Sequence, residues 1–244
     1  MNSGERRQFT YNSSLSTVHS HAFTLAETLI VMGIIGVVAA LTIPNVNKNT
    51  GRAESITRFK KVYAELNEAL YRATAVYGPA KTWWNNLPAG DQDLLYSQRF
   101  VDRLTEFMKV TKYCREVNNT GCLKEINNYY PSVILANGAG FLLDIGNDYL
   151  TIDIDGPNKG KGKNGIDIFT LCFGYDTKYE NIGLVTDCDV ERFKADDCSF
   201  SDGYAQWIMD NGNMDYLDID NQGRCKNDTS KVLGYGEGKV QSCK

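Results

Sequence analysis

One stretch constrains this chain more than any other. Phe23-Thr24-Leu25-Ala26-Glu27 opens an apolar run that continues to Ile43, and Glu27 is its sole charge. As a helix rising 1.5 Å per residue, the run reaches about 31 Å, close to the roughly 30 Å hydrocarbon core of a bilayer. A cleaved secretory signal has a shorter apolar core, about 7–15 residues, with its small-residue site behind it. Here the run is longer, and the small residue, Ala22, stands in front. The run reads as one membrane segment, and the negative mean hydropathy of the whole chain excludes a multi-span protein. An intramembrane carboxylate costs about 2.5–3.5 kcal/mol near the bilayer centre, less near an interface, and needs a partner. No lysine or arginine lies between Arg7 and Lys48. A free α-amine on Phe23, made by cutting after Ala22, would supply the missing positive charge.

Ala22-Phe23-Thr24-Leu25-Ala26-Glu27, an apolar helix and then Pro44 together resemble the prepilin signature of type IV pilins, minor pilins and the pseudopilins of type II secretion. The resemblance implies that a prepilin peptidase cuts between Ala22 and Phe23 and methylates the new amine. It implies that Glu27 pairs with the Phe23 amine of a neighbouring subunit in a helical filament. Ala22 stands where the family usually has glycine, and the leader is longer than most. The implied division is a leader over 1–22, a membrane and filament-core helix over 23–44, a head over 45–175 and a Cys/Asp-rich C-terminal region over 176–244. Charge counting runs the other way. Arg6 and Arg7 precede the run, whereas Lys48, Arg52, Arg58, Lys60 and Lys61 follow it. The more basic flank ordinarily stays inside, while the motif and the cysteines place the body outside.

Beyond the run, Ile56, Phe59, Tyr63, Leu66, Leu70, Ala73 and Tyr77 recur at steps of three and four and predict an amphipathic helix ended by Gly78-Pro79. Joined to the membrane segment, it would make a rod of about 80 Å. A second helix is expected from Asp91 to Met108, capped by Asp91, with Leu94, Val101, Leu104 and Met108 as its stripe. Trp83-Trp84 reads as buried packing rather than a subunit contact. From Ser132 the period changes to strands at Ser132–Ala136, Gly140–Ile145, Tyr149–Asp155 and Ile166–Phe173. Asn137-Gly138, Gly146-Asn147 and a glycine-rich loop separate them. The expected fold is therefore α+β and pilin-like. A long N-terminal helix, membrane half plus amphipathic half, packs on a small antiparallel β-meander of three or four strands, followed by a disulfide-rich C-terminal region. Tyr204–Leu217 is read as a further hairpin turning at Asn211-Gly212, and it resembles the C-terminal end of some bacterial pilin-like proteins.

Asp153, Asp155, Asn158 and Asp167 gather around the glycine-rich loop, and converging oxygen ligands suit calcium. The spacing is not an EF-hand. The segment is similar to the Asp-rich Gly-Pro-Asn turn of pilin-like domains, some of which hold calcium. The bland alternative is a hairpin whose aspartates cap its turns. Asp218-Ile219-Asp220 with Gly223 is a weaker second candidate. Gly160, Gly162 and Gly165 form a GxGxxG string, but a strand follows where a dinucleotide site needs a helix. With Lys159, Lys161 and Lys163 the loop reads as solvated rather than as a phosphate contact.

The seven cysteines, Cys114, Cys122, Cys172, Cys188, Cys198, Cys225 and Cys243, all follow the apolar run and none is in CxxC spacing. They argue for disulfides in an oxidising compartment rather than zinc. Nearest-neighbour pairing gives Cys114–Cys122, Cys188–Cys198 and Cys225–Cys243, with Cys172 as an unpaired core thiol. The only histidines, His19 and His21, precede the run, so loss of the leader removes every imidazole a hydrolase triad, His-ligated zinc or haem would use. With 30 acidic against 26 basic residues, nucleic acid is not an expected partner. The chain therefore reads as a non-enzymatic filament subunit, single-pass in the inner membrane with its head in the periplasm or outside, assembled into a pilus or pseudopilus. Its expected partners are itself or other pilin-like subunits, the prepilin peptidase and an inner-membrane assembly platform. The rival is an uncleaved signal-anchored surface protein, either a calcium-dependent adhesin or a carboxylate-based glycosidase.

Overall fold

The computed structural model describes residues 24–115, 122–123, 130–145, 149–157, 159–176, 181–185 and 203–244. Side chains of residues 42–49, 174–176, 181–183 and 185 are outside that description. The chain divides into two compact units, Met1–Asn47 and Lys48–Lys244, and helix α1 (Leu25–Tyr77) contributes to both.

In the second unit, α1 buries Phe59, Val62, Leu66, Ala69, Leu70 and Ala73, a stripe at steps of three and four. The expected stripe is thus rotated slightly: Val62 and Ala69 are inside, while Tyr63 is half-buried and donates its hydroxyl to the Leu184 carbonyl at 3.3 Å. The stripe faces a six-stranded antiparallel sheet in sequential order: β1 (Val110–Cys114), β2 (Ser132–Leu135), β3 (Gly140–Asp144), β4 (Tyr149–Asp153), β5 (Ile168–Asp176) and β6 (Asn181–Val185). Register aligns Val133, Phe141, Ile152 and Phe169 in one row across four strands, and Leu143, Leu150 and Leu171 in a second. All seven are buried, and the Phe169 ring meets that of Phe59 at 4.7 Å. Each such side chain is worth about 1.5–3 kcal/mol of burial.

Helix α2 (Gln92–Thr105) starts where Asp91 accepts the Leu94 N–H at 3.2 Å and buries Tyr96, Phe100, Val101 and Leu104. It stops before Met108, because Val110 already belongs to β1. The tryptophan pair splits. Trp83 is fully buried against Phe100 and donates Nε1–H to the Gly78 carbonyl at 3.0 Å, whereas Trp84 is partly exposed, edge-on to Tyr96. Between β2 and β3, Asn137-Gly138 makes the expected turn, with Gly138 at φ 91°. That turn lies against the one after β4. Gly156 has φ 78°, and a Cβ there would overlap the Gly138 carbonyl oxygen.

Beyond β6, helix α3 (Tyr204–Asn211), a 3₁₀ turn over Asp215–Asp218 and a two-stranded sheet of β7 (Arg224–Cys225) and β8 (Asp228–Val232) complete the unit. Trp207, Ile208, Tyr216, Leu233 and Cys243 belong to the same buried cluster as Phe59.

The expected architecture needs correction on four counts. The long N-terminal helix is not one packed element: the part that packs on the sheet begins near Phe59, beyond the boundary at Asn47. Among the described residues, no helix is long and apolar enough to cross a membrane; within the apolar run the described side chains end at Leu41. The sheet has six strands, not a small meander of three or four, because β1 and β6 pair on its two edges. Among the described residues beyond 176 there is no separate region: their helix and tryptophan enter the common core, and Cys225–Cys243 is the described bridge there. The hairpin expected at Asn211-Gly212 is instead the end of α3. Gly212, at φ 62°, donates its N–H to the Ile208 carbonyl at 3.0 Å. Asn-Gly suits a tight hairpin and a left-handed helix cap alike. Tyr204, Trp207 and Ile208, at helical spacing, decide for the cap.

Candidate assembly site and aspartate loop

Thr24 and Glu27 cap α1 reciprocally. Glu27 Oε2 accepts the Thr24 N–H and the Thr24 hydroxyl, both at 2.9 Å, and the Glu27 N–H donates to Thr24 Oγ1 at 3.2 Å. This is a capping box, in which two orphan donors of a helix start are satisfied at once. Sequence reasoning sought the carboxylate's partner in an ammonium and missed Thr24, although T-x-x-E is itself the signature. Ala22 and Phe23, the proposed processing pair, lie outside the described residues. Pro44 falls within α1, with its side chain outside them.

The helix above this cap is apolar on all sides. Leu29, Ile30, Val31 and Met32 are 62, 62, 53 and 71% exposed. At 100° per residue, four consecutive positions sweep the circumference, so no polar face exists to meet water. Beyond the local helix backbone, no atom lies within 4 Å of where side chains at Gly33 or Gly36 would begin. Apolar surface this extensive marks a membrane or protein interface.

In the glycine-rich loop, the aspartates are engaged by their own surroundings. Asp153 Oδ1 accepts the Asp155 and Gly156 N–H groups at 3.0 and 2.8 Å. Asp155 accepts Arg58 Nη1 at 2.7 Å. Asp167 accepts the N–H groups of Lys161, Gly162 at 2.9 Å and Lys163 at 2.7 Å. The GxGxxG string is thus a wrap around a carboxylate, and Gly165 lies under the Tyr204 ring while its carbonyl accepts the Tyr216 hydroxyl at 2.7 Å. Burial raises the Asp153 pKa above the usual carboxylate range, opposed by its two N–H donors and assisted by the Asp167 and Asp155 charges. Asn158 lies outside the described residues. Among the described residues, no group of three or more acidic, cysteine or histidine side chains is placed to hold a metal. Around the second calcium candidate, Asp218 takes the Arg52 guanidinium bidentately, and Asp220 accepts the Gln222 and Arg224 N–H groups at 2.8 and 2.9 Å. The Asp218 hydrogen bonds raise the Arg52 pKa further.

Cys114–Cys122 and Cys225–Cys243 are bonded. Cys172 is also disulfide-bonded, with a partner outside the described residues, so it is not the free core thiol expected. The Cys188–Cys198 pairing falls outside the description. A surface groove of 520 Å³ runs beside α1, between Lys61, Glu65, Glu68 and Arg72 on the helix and Phe107 to Lys109 with Asn137 opposite. Its charges are partly matched, Arg72 to Glu68 at 2.5 Å and Asn137 Nδ2 to Glu65 at 3.0 Å.

What these elements define is an α+β body joined in sequence to an apolar, carboxylate-capped helix. No family model matches the chain, and neither the curated proteins nor the solved structures provide a match.

Proposed function

We propose that this chain is a non-catalytic subunit of a membrane-rooted filament, a type IV pilus-like fibre or the pseudopilus of a type II secretion machine. The observation that carries the reading is the apolar helix exposed around its full circumference from Leu29 to Met32, with Glu27 as its one charge. Covering each large apolar side chain is worth about 1.5–3 kcal/mol. Lipid covers them in the precursor, and the same helices of other subunits cover them in the fibre. The precursor sits in the inner membrane with its body in the periplasm or outside. A prepilin peptidase cuts before Phe23, and an assembly platform adds the subunit to the fibre. Glu27 then exchanges its bonds to Thr24, in which only the acceptor is charged, for a pairing with a neighbour's Phe23 ammonium, in which both partners are charged.

Mass spectrometry of the native protein is expected to show an N-methylated Phe23 as the first residue; an intact leader would remove the reading. Glu27→Ala should abolish incorporation into fibres while leaving the melting of the body unchanged. Incorporation at the wild-type level would exclude the ion-pair step.

A further inference from the structure

Where α1 enters the body, its helix is held mainly by charge: Ile56 alone packs against the core, and it is only partly buried. From Thr50 to Arg58 no side chain is buried; the first that is fully so is Phe59. Over this stretch Arg52 forks onto both oxygens of Asp218, with side chains 17 and 29% exposed, and Arg58 reaches Asp155 at 2.7 Å. The anchors on the other side are firm. The Asp218 turn begins at buried Asp215, which accepts Ser242 Oγ at 2.6 Å and the Cys243 N–H at 2.9 Å, beside the Cys225–Cys243 bond. Asp155 lies in the turn that Asp153 caps.

Within the same stretch sits Gly51. Beyond the local helix backbone no atom lies within 4 Å of where its Cβ would be, and its φ is not left-handed, so neither close approach nor backbone geometry calls for glycine. What it does there is weaken the helix, by roughly 1 kcal/mol relative to alanine.

We propose that Thr50–Arg58 is a releasable joint in α1. Gly51 makes it easy to open, and the Arg52–Asp218 clamp, seconded by Arg58–Asp155, holds it shut. Because the restraint is ionic, added salt weakens it, more at the exposed Arg58–Asp155 pair than at the half-buried Arg52–Asp218 fork. The inference stands apart from the filament reading, since all of its residues lie in the body unit.

Hydrogen exchange on the full-length protein in detergent micelles tests it, read separately over residues 50–58 and 59–77. Asp218→Asn is expected to speed exchange over 50–58 about tenfold, the scale of losing a charge-assisted fork, and to leave 59–77 unchanged. Gly51→Ala should slow it about fourfold, and 1 M salt should speed it by less than Asp218→Asn does, in the wild type and in that variant alike, because Arg58–Asp155 remains in both. The paired reversal Arg52→Asp with Asp218→Arg should restore slow exchange. Unchanged exchange over 50–58 in Asp218→Asn, or an equal rise through Tyr77, would overturn the joint, as would a Gly51→Ala protein that exchanges as fast as wild type.

Discussion

Two stretches of the same helix, Leu29–Met32 and Phe59–Ala73, are both rich in large apolar residues and have opposite fates. In the second, buried side chains alternate with Lys60, Lys61, Glu65 and Glu68, so one face finds the sheet and the other finds water. In the first there is no alternation, and the side chains stay uncovered within this chain. Hydrophobicity supplies the driving force in both. Periodicity decides whether a single chain can satisfy it.

The comparison is broken most readily by truncation. Phe59→Ala removes a fully buried ring packed on Phe169 and is expected to cost about 3–5 kcal/mol in denaturant unfolding of the body. Ile30→Ala, in the exposed stretch, should change that free energy by less than about 0.5 kcal/mol. Equal losses would mean that the two stretches are not energetically distinct. Next in size is Cys225→Ser, which opens a bridge spanning 18 residues. It should lower body stability by about 2–4 kcal/mol, read as a shift in denaturant midpoint matching the effect of reductant at that bond.

The smallest effect sharpens a parallel contrast between carboxylates: Glu27 lies open at a helix start, Asp153 inside a turn. Burial raises the folded pKa of Asp153 above its unfolded value, so the folded state binds its proton more tightly. The resulting stabilisation is fully present below the unfolded pKa and is lost as pH rises through the folded pKa. Asp153→Asn keeps an acceptor for the two N–H groups and should abolish that acid-side increment, leaving a flatter stability profile across the carboxylate range. An unchanged profile would remove Asp153 as its source.

Much of the body was legible because its signals are local. Alternation in Leu150, Ile152 and Ile154, the turn at Asn137-Gly138 and the cap at Asp91 each act within a few residues. The edge strands were not. Val110–Cys114 has too few apolar side chains to show a period, and Asn181–Val185 is a short run with glycine at its centre that does not stand out in sequence. The carboxylates were legible as a cluster but not as partners of Arg58 and Arg52, since ion pairs across such sequence distances leave no local pattern. Cys172 misled because a strand position suggests burial, whereas bonding depends on which cysteine the fold brings near. At the candidate assembly site, the capping box was written in Thr24 and Glu27 and was overlooked because the membrane reading looked outside the chain for a counter-charge.

The contact of Gly156 with the Gly138 carbonyl joins two turns that belong to different hairpins. Neither can be lengthened or re-threaded without displacing the other. An epitope spliced into residues 136–139 would therefore have to be accommodated at 154–157 as well. These two turns are poor places to display a foreign peptide, even though each, taken alone, has the polar, glycine-bearing look of a permissive loop.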